Sequence, residues 1–316
     1  MYTIKQSVLN LPRFPFASFC LVSDGLNNDN EECIYLCGQS LGLKPNSSDA
    51  YVGDFLQSWG AKGVHSHFNG ALPAALSDIP PKAPMARLVG ARESEVAVMN
   101  GLTVNLHILF CSFYKPTPRR HKIIIEEHAF SSDMYVVKSQ INLHGYDVET
   151  SLITLKPRRG EYLIREEDAL AVIEQEGDEV ALILIPGIQY YTGQLFPIRK
   201  LATAAHAKGI MVGCDLAHAA GNVPIYLHEW DVDFAAWCTY KYMNSGAGCI
   251  GGIFVNEKFT EQGSTSQFPM LKGWWGNTMS TKFLMRDGKS SFILQARTIT
   301  HHKTLVQISM HHSVLI

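Results

Sequence analysis

Ile210-Met-Val-Gly-Cys-Asp-Leu-Ala-His218 is the stretch that decides how this chain folds. Five largely apolar residues lie between Gly209 and Asp215, too few for an ordinary helix and bounded as a buried strand is bounded. Just before it, Pro197 to Lys208 reads as a helix, with a proline suited to a first turn and a stop at Gly209. Further strand-like runs are Lys122-Ile-Ile-Ile-Glu126, Val180-Ala-Leu-Ile-Leu-Ile185 and Asp233-Phe-Ala-Ala-Trp-Cys238. Glu166 to Glu176 is amphipathic, with Leu170, Val172 and Ile173 among acids. Strand and helix in alternation predict an α/β fold, a mostly parallel sheet with helices on both faces. Gly246-Ala-Gly-Cys-Ile-Gly-Gly252 leads into Ile253-Phe-Val255, which is expected to return antiparallel. No repeat of solenoid period is visible.

Composition sets the outer bounds. The chain has 316 residues, 46% hydrophobic and 18% charged, as ordinary folded proteins are. A formal net charge of -2 points neither to nucleic acid nor to a membrane surface, and Arg158-Arg159 reads as a solvated loop. No apolar run approaches the roughly 20 residues needed to span a bilayer, and no secretory leader is visible. Without a secretory route the Asn46-Ser47-Ser48 sequon carries little weight. The seven cysteines are odd in number and several lie in apolar runs, so no disulfide framework is expected. Cys33 and Cys37 have no second pair at zinc-ligand spacing, so no metal is expected; a reducing cytoplasm is the default compartment.

In open α/β sheets ligands bind beyond the carboxyl ends of the strands. That rule selects His128 to Asp133, Pro186 to Thr192, Asp215 to His218, and Tyr240-Lys241. Asp215 at a strand end needs a cation or donor to offset desolvation, which a protonated pyridine nitrogen would supply; the alternative is a cap for a helix starting at Leu216. His218, three residues on, could face the same ligand or be a structural histidine. Lys241 follows an apolar strand, where an imine-forming amine is made, although most lysines simply reach for solvent. Asn100-Gly-Leu-Thr103 precedes a helical pattern through Leu106, Leu109 and Phe113, so free N–H groups with the Thr103 hydroxyl could cradle a phosphate or serve only as an unliganded cap. Phe130 could stack on a flat ring or belong to the core.

These residues resemble a known family. Tyr35-Leu-Cys-Gly-Gln-Ser-Leu-Gly42, Asn100-Gly-Leu-Thr-Val-Asn-Leu-His107, Phe130-Ser-Ser-Asp133, Tyr190-Tyr-Thr-Gly-Gln194, Asp215-Leu-Ala-His-Ala219, Tyr240-Lys-Tyr-Met-Asn244 and Gly273-Trp-Trp-Gly276 occur in the order found in kynureninases. The resemblance runs from about Ile34 to about Arg286. It implies the large domain of a fold-type-I pyridoxal 5′-phosphate enzyme, aspartate-aminotransferase-like. The implied reaction is hydrolysis of L-kynurenine or 3-hydroxy-L-kynurenine to anthranilate or 3-hydroxyanthranilate plus L-alanine. It further implies that Lys241 is the Schiff-base lysine and that Asp215 pairs with the ring nitrogen. Leu102, through its backbone, and Thr103 would hold the phosphate, with Tyr240 and Trp274 assisting. Phe130 would stack on the ring beside Ser131, Ser132 and Asp133; His218 would sit next to the cofactor. Ser40 and His67 match substrate-site positions, Tyr240 is the expected proton donor, and a homodimer is implied.

The match breaks in three places. Pro186 stands where many relatives carry a hydroxyl residue, and Ala74 replaces a usual tryptophan. After Arg286 the pattern stops. The expected organisation is therefore an arm over residues 1–30, a cofactor-binding domain over 31–286, and a divergent tail over 287–316 in place of the family's small C-terminal domain. That tail carries His301-His302 and His311-His312. Without the family's carboxylate-binding arginine, weak or absent turnover is expected. The competing readings are a non-catalytic cofactor-binding chain and another fold-type-I enzyme such as a cysteine desulfurase; no cysteine-bearing catalytic loop favours the latter.

Overall fold

Val180-Ala-Leu-Ile-Leu-Ile-Pro186 is buried at every position and forms β4, a strand covered on both faces. The computed structural model describes residues 35–260, 268, 271, 273–276 and 282–284. Within them the other strands are β1 (Val96–Val98), β2 (Lys122–Glu126), β3 (Leu152–Leu155), β5 (Met211–Asp215), β6 (Phe234–Trp237) and β7 (Gly252–Val255). Helices α1 (Ser48–Lys62), α2 (Lys82–Leu88), α3 (Leu102–Phe113), α4 (Ser131–Leu143), α5 (Val148–Ser151), α6 (Glu166–Glu176) and α7 (Ile198–Ala207) alternate with them. The strands form one seven-stranded sheet in the order β1-β7-β6-β5-β4-β2-β3. β7 runs antiparallel to both β1 and β6, as its sequence suggested, and the other pairs are parallel.

Alternation along each strand divides the core in two. Ile124, Ile183, Ile185, Val212, Cys214, Ala235 and Trp237 face one side, where α2, α6 and α7 contribute Met85, Ile173, Leu201 and Ala205. Ile123, Ile125, Leu182, Leu184, Phe234 and Ala236 face the other, against Leu106, Phe110 and Phe113 of α3 and Val136, Val137 and Ile141 of α4. Burial on both faces is why these strands read as continuous apolar runs. Each large aliphatic or aromatic side chain removed from water contributes about 1.5–3 kcal/mol. This is the mostly parallel sheet with helices on both faces that the sequence predicts.

Some local expectations change. No helix begins at Leu216: residues 217–222 are turns in which the Ala219 and Ala220 N–H groups both reach the Leu216 carbonyl. Gly221, at φ 81°, and Pro224 interrupt any longer helix there. Pro197 is the N-cap of α7 rather than its first helical residue. The expected arm over 1–30, the tail over 287–316 and both tail histidine pairs lie outside the described residues. Among the described residues no helix is long and apolar enough to cross a membrane, and no disulfide joins Cys37, Cys111, Cys214, Cys238 and Cys249.

β3 lies outside β2 while β4 lies inside it, so the chain reverses its direction of travel across the sheet at β2–β4. The carboxyl ends of β2, β4 and β5 therefore open onto a crevice. Two backbones meet there closely. Pro186 pairs with Asp215, and the Gly187 N–H donates to the Asp215 carbonyl at 2.7 Å. A Cβ on Gly187 would stand 2.5 Å from the Ala219 Cβ and 2.9 Å from a Leu216 methyl. Gly187→Ala is accordingly expected to cost about 1–3 kcal/mol. It should appear as a lowered midpoint of urea denaturation with an unchanged slope; an unmoved midpoint would show that the two turns can part freely.

Candidate active site

The site begins with the start of α3. Asn100 adopts a left-handed conformation at φ 44°, its carbonyl accepts the Gly251 N–H, and Gly101 then caps the helix with no side-chain bond. The fully buried Asn105 donates to the Met99 carbonyl at 2.8 Å and anchors this turn from below. The first intrahelical bond is Asn105 N–H to Gly101 O, at 3.0 Å. The amides of Leu102, Thr103 and Val104 thus point out of the helix end, as first-turn amides do. The Thr103 hydroxyl hydrogen-bonds with that of Ser132, in the first turn of α4. Two helix N-termini converge at that bond, a setting that favours an anion.

Acids line the next stretch of the crevice. Asp215, at the end of β5, is buried and accepts the Ala217 N–H at 2.8 Å, so it caps a turn where a helix cap was one sequence reading. Burial raises its carboxyl pKa above the ordinary value; a hydrogen bond with Asp133, the Ala217 amide and the Lys241 charge all oppose that rise. Asp133, on α4, is held well above the usual carboxylate range by burial first and then by Asp215 and Glu126. Its Oδ1 is buried with no hydrogen-bond partner. Glu126, the last residue of β2, is pushed up to about 8 by burial, reinforced by the Asp215 charge and opposed by its own backbone amide.

Lys241 follows β6 and is buried, its Nζ 2.8 Å from the His218 Nε2. Burial lowers the His218 imidazole to about 4, and the neighbouring Lys241 charge lowers it further in the same direction. The bond therefore joins the lysine to a neutral ring at physiological pH. The Lys241 Nζ also lies 5.7 Å from the centre of the Phe130 ring and 5.9 Å from that of Tyr240. Phe130 meets Tyr190 edge-on at 5.2 Å. Gln189 ties the two loops together: its amide donates to the His128 carbonyl at 3.0 Å, and its Oε1 accepts the Tyr191 and Thr192 amides. Tyr240 is raised to about 12 by burial and then by the Cys238 thiol, with which it hydrogen-bonds; Cys238 itself rises to about 11 through burial.

Lys241, His218, Asp215, Asp133, Phe130, Ser131, Ser132, Tyr240, Thr103 and Leu102 thus lie along one crevice at the carboxyl edge of the sheet. The Ser40 segment reaches its rim: the Gly42 N–H donates to the Tyr240 carbonyl at 2.8 Å, and Lys241 and Asn244 leave Gly42 no room for a Cβ. Ser40 itself is exposed. His67 is exposed in the turn Gly63–His67, and neighbouring Phe68 packs at 5.0 Å on Phe283, which in turn meets Trp274 at 5.6 Å. Trp274 donates its indole N–H to the Lys282 carbonyl at 2.7 Å. Among the described residues no hydrogen bond ties His67 or Ser40 to the Lys241 group. Pro186 is buried beside Asp215, and Ala74 is buried in the short turn Ala74–Leu76. Glu126, Gln189 and Cys238 were not singled out from sequence. An acid closing an apolar strand is the signal that marked Asp215, and it marks Glu126 equally.

A model described as aminotransferase class-V matches residues 53–271. The chain belongs to the class-V aminotransferase family. It is 48% identical over 291 residues to the kynureninase of Rattus norvegicus, covering 92% of this chain and 62% of that protein. It is 50% identical over 251 residues to the Dictyostelium discoideum kynureninase, covering 79% and 56%, and 48% over 268 residues to the Homo sapiens kynureninase, covering 85% and 57%. The chain therefore spans about three-fifths of the length of these relatives. Among solved structures, the apo cysteine desulfurase of Thermococcus onnurineus NA1 superimposes with a TM-score of 0.67 at 16% identity, covering 89% of this chain and 66% of that one. The cystine C-S lyase C-DES in complex with cysteine persulfide does so with a TM-score of 0.68 at 14% identity, covering 89% and 70%. These two likenesses concern the fold.

A histidine whose pKa falls from 6.5 to about 4 on folding costs stability as pH drops through that interval, because the unfolded chain takes up the proton first. In histidine-selective NMR of the unliganded protein the His218 ring is expected to stay neutral down to about pH 5 and to titrate only below it. Titration of His218 near 6.5 would show that its burial against Lys241 is not maintained in solution.

Proposed function

We propose that this chain is the cofactor-binding part of a kynureninase-type hydrolase, with pyridoxal 5′-phosphate as cofactor and L-kynurenine or 3-hydroxy-L-kynurenine as substrate. The observation that carries the reading is the juxtaposition in one crevice of Lys241, the buried Asp133–Asp215 pair and the convergent helix starts at Thr103 and Ser132. The fit to the cofactor is chemical at each point. An amine answers an aldehyde, and the unpartnered Asp133 Oδ1 leaves acceptor capacity in a carboxyl pair that a protonated ring nitrogen would satisfy. Two helix N-termini with hydroxyls answer a phosphate. Similarity of 48–50% to kynureninases across most of the chain supports the choice of substrate.

When bound, pyridoxal 5′-phosphate supplies an electron sink conjugated to the substrate's α-carbon. Lys241 would carry the aldehyde and, once displaced by the substrate amine, hold or move the α-carbon proton. His218, neutral beside it, can accept a hydrogen bond from the amine without competing for charge. Asp215 would keep the ring nitrogen protonated. The Leu102 amide, the Thr103 hydroxyl, Tyr240 and Trp274 would hold the phosphate, and Phe130 would cover the ring with Ser131, Ser132 and Asp133 beside it. Tyr240, whose raised pKa keeps its phenol protonated, would deliver the proton to the carbon left by cleavage. Ser40 and His67 would border the substrate. By the same resemblance a second copy of the chain completes the site; the cysteine usage makes a reducing cytoplasm the default compartment.

Borohydride reduction of protein mixed with pyridoxal 5′-phosphate, followed by peptide mapping, is expected to place a pyridoxyl group on Lys241 and none in Lys241→Ala. Asp215→Asn should weaken cofactor binding about ten- to hundredfold, the worth of a charge-assisted hydrogen bond of ~1.5–3 kcal/mol. Any fluorescent anthranilate formed from L-kynurenine should be weak with wild-type protein and absent with Lys241→Ala. Labelling spread over surface lysines, or cofactor binding indifferent to Asp215, would refute the assignment.

A further inference from the structure

Glu126 closes β2 beside β4, whose last residues Ile185 and Pro186 pair with Cys214 and Asp215 of β5. Two acids thus end strands that flank an apolar strand end, with the buried Asp133 arriving from α4. Glu126 and Asp133 are each 3% exposed, and Asp215 is 8% exposed. Among the described residues few groups are placed to compensate them. Ile185 and Pro186 carry no side-chain donor. Lys156, beyond the end of β3, pairs with Glu127 rather than with Glu126. Lys241 is the cation whose charge reaches both aspartates. Three ionised carboxylates buried against one ammonium would leave two charges uncompensated, which a low-dielectric interior does not tolerate.

We propose that Glu126 is a positioning residue of this site, a carboxyl that stays protonated at neutral pH behind Asp133 and Asp215 and so adds no third negative charge to the group they form. Its effect on a ring nitrogen rests on the reading given under Proposed function; its own protonation does not. Burial and the Asp215 charge, which raise its pKa to about 8, act in the direction the arrangement requires. The unfolded chain releases this proton near 4.5 and the folded chain near 8, so folded stability falls as pH rises across that interval. A residue with no proton to lose removes that dependence.

The test has two arms. In the unliganded protein, thermal unfolding is followed from about pH 6 to about pH 9 for wild type and Glu126→Gln. The melting temperature of wild type is expected to fall by several degrees relative to Glu126→Gln across this range. Infrared difference spectra of the same samples should show a protonated-carboxyl component in wild type that vanishes near pH 8 and is missing from Glu126→Gln, over any contribution of Asp133 common to both. Should Glu126→Gln fail to fold, the wild-type band decides alone: its absence at pH 7 overturns the proposal, and so do parallel melting curves. In the second arm, pyridoxal 5′-phosphate is titrated while its absorbance is followed over the same pH range. Glu126→Gln should bind within about twofold of wild type at pH 7 and shift the spectral midpoint. An unshifted midpoint overturns the link to the ring nitrogen. Absence of any cofactor absorbance in wild type would instead sink the reading under Proposed function, leaving the first arm to judge Glu126.

Discussion

Burial of carboxylates at the carboxyl edge of a parallel sheet is the constraint on which the rest of this structure depends. Asp215 sits where a strand leaves the core, and desolvation works against its charge. Everything around it reads as an answer to that cost: the Ala217 amide, the Asp133 carboxyl and the ammonium of Lys241 brought back over β6. An isolated buried charge would shift to neutral or unfold its surroundings. An acid with an amide, a shared proton and a cation is a stable arrangement and leaves capacity for one more positive group.

The same edge shows how backbone geometry serves chemistry. Because β4 turns away at Gly187 without a side chain, it lies against the turn after Asp215 and keeps the two strand ends in register. Because Gln189 spends both ends of its amide on the His128 carbonyl and the Tyr191 and Thr192 amides, the loops bearing Phe130 and Tyr190 are tied into one wall. The convergence of α3 and α4 at the Thr103–Ser132 contact brings two sets of free amides to one point. None of these devices is costly alone, and together they orient a crevice whose polar groups are mostly satisfied.

Chain coverage and chemistry speak to different questions. The similarity to kynureninases extends over most of this chain but only about three-fifths of theirs, and the geometry here concerns the cofactor side of the crevice. The Ser40 segment reaches its rim through Gly42, whereas His67 and Trp274 are joined to one another through Phe68 and Phe283. Ala74 and Pro186 are among the positions at which this chain departs from the family resemblance.

The fold class was legible in the sequence because strands buried on both faces must be continuously apolar, and β2, β4, β5 and β6 announce themselves that way. The rule that ligands sit beyond strand ends then picked out Asp215, Lys241 and the Phe130 loop. β1 and β3 escaped because three or four residues carry no usable period, and the helix that was one reading of the stretch after Asp215 gave way to turns bounded by Gly221 and Pro224. Sequence determined which side chains could carry chemistry, since residue type at a strand end is a local property. Only tertiary structure decided that Glu126, Asp133 and Asp215 are buried as one group and that His218 lies against Lys241. Desolvation and charge coupling depend on which strands are neighbours, and the order β2-β4-β5 is set by packing across the whole sheet.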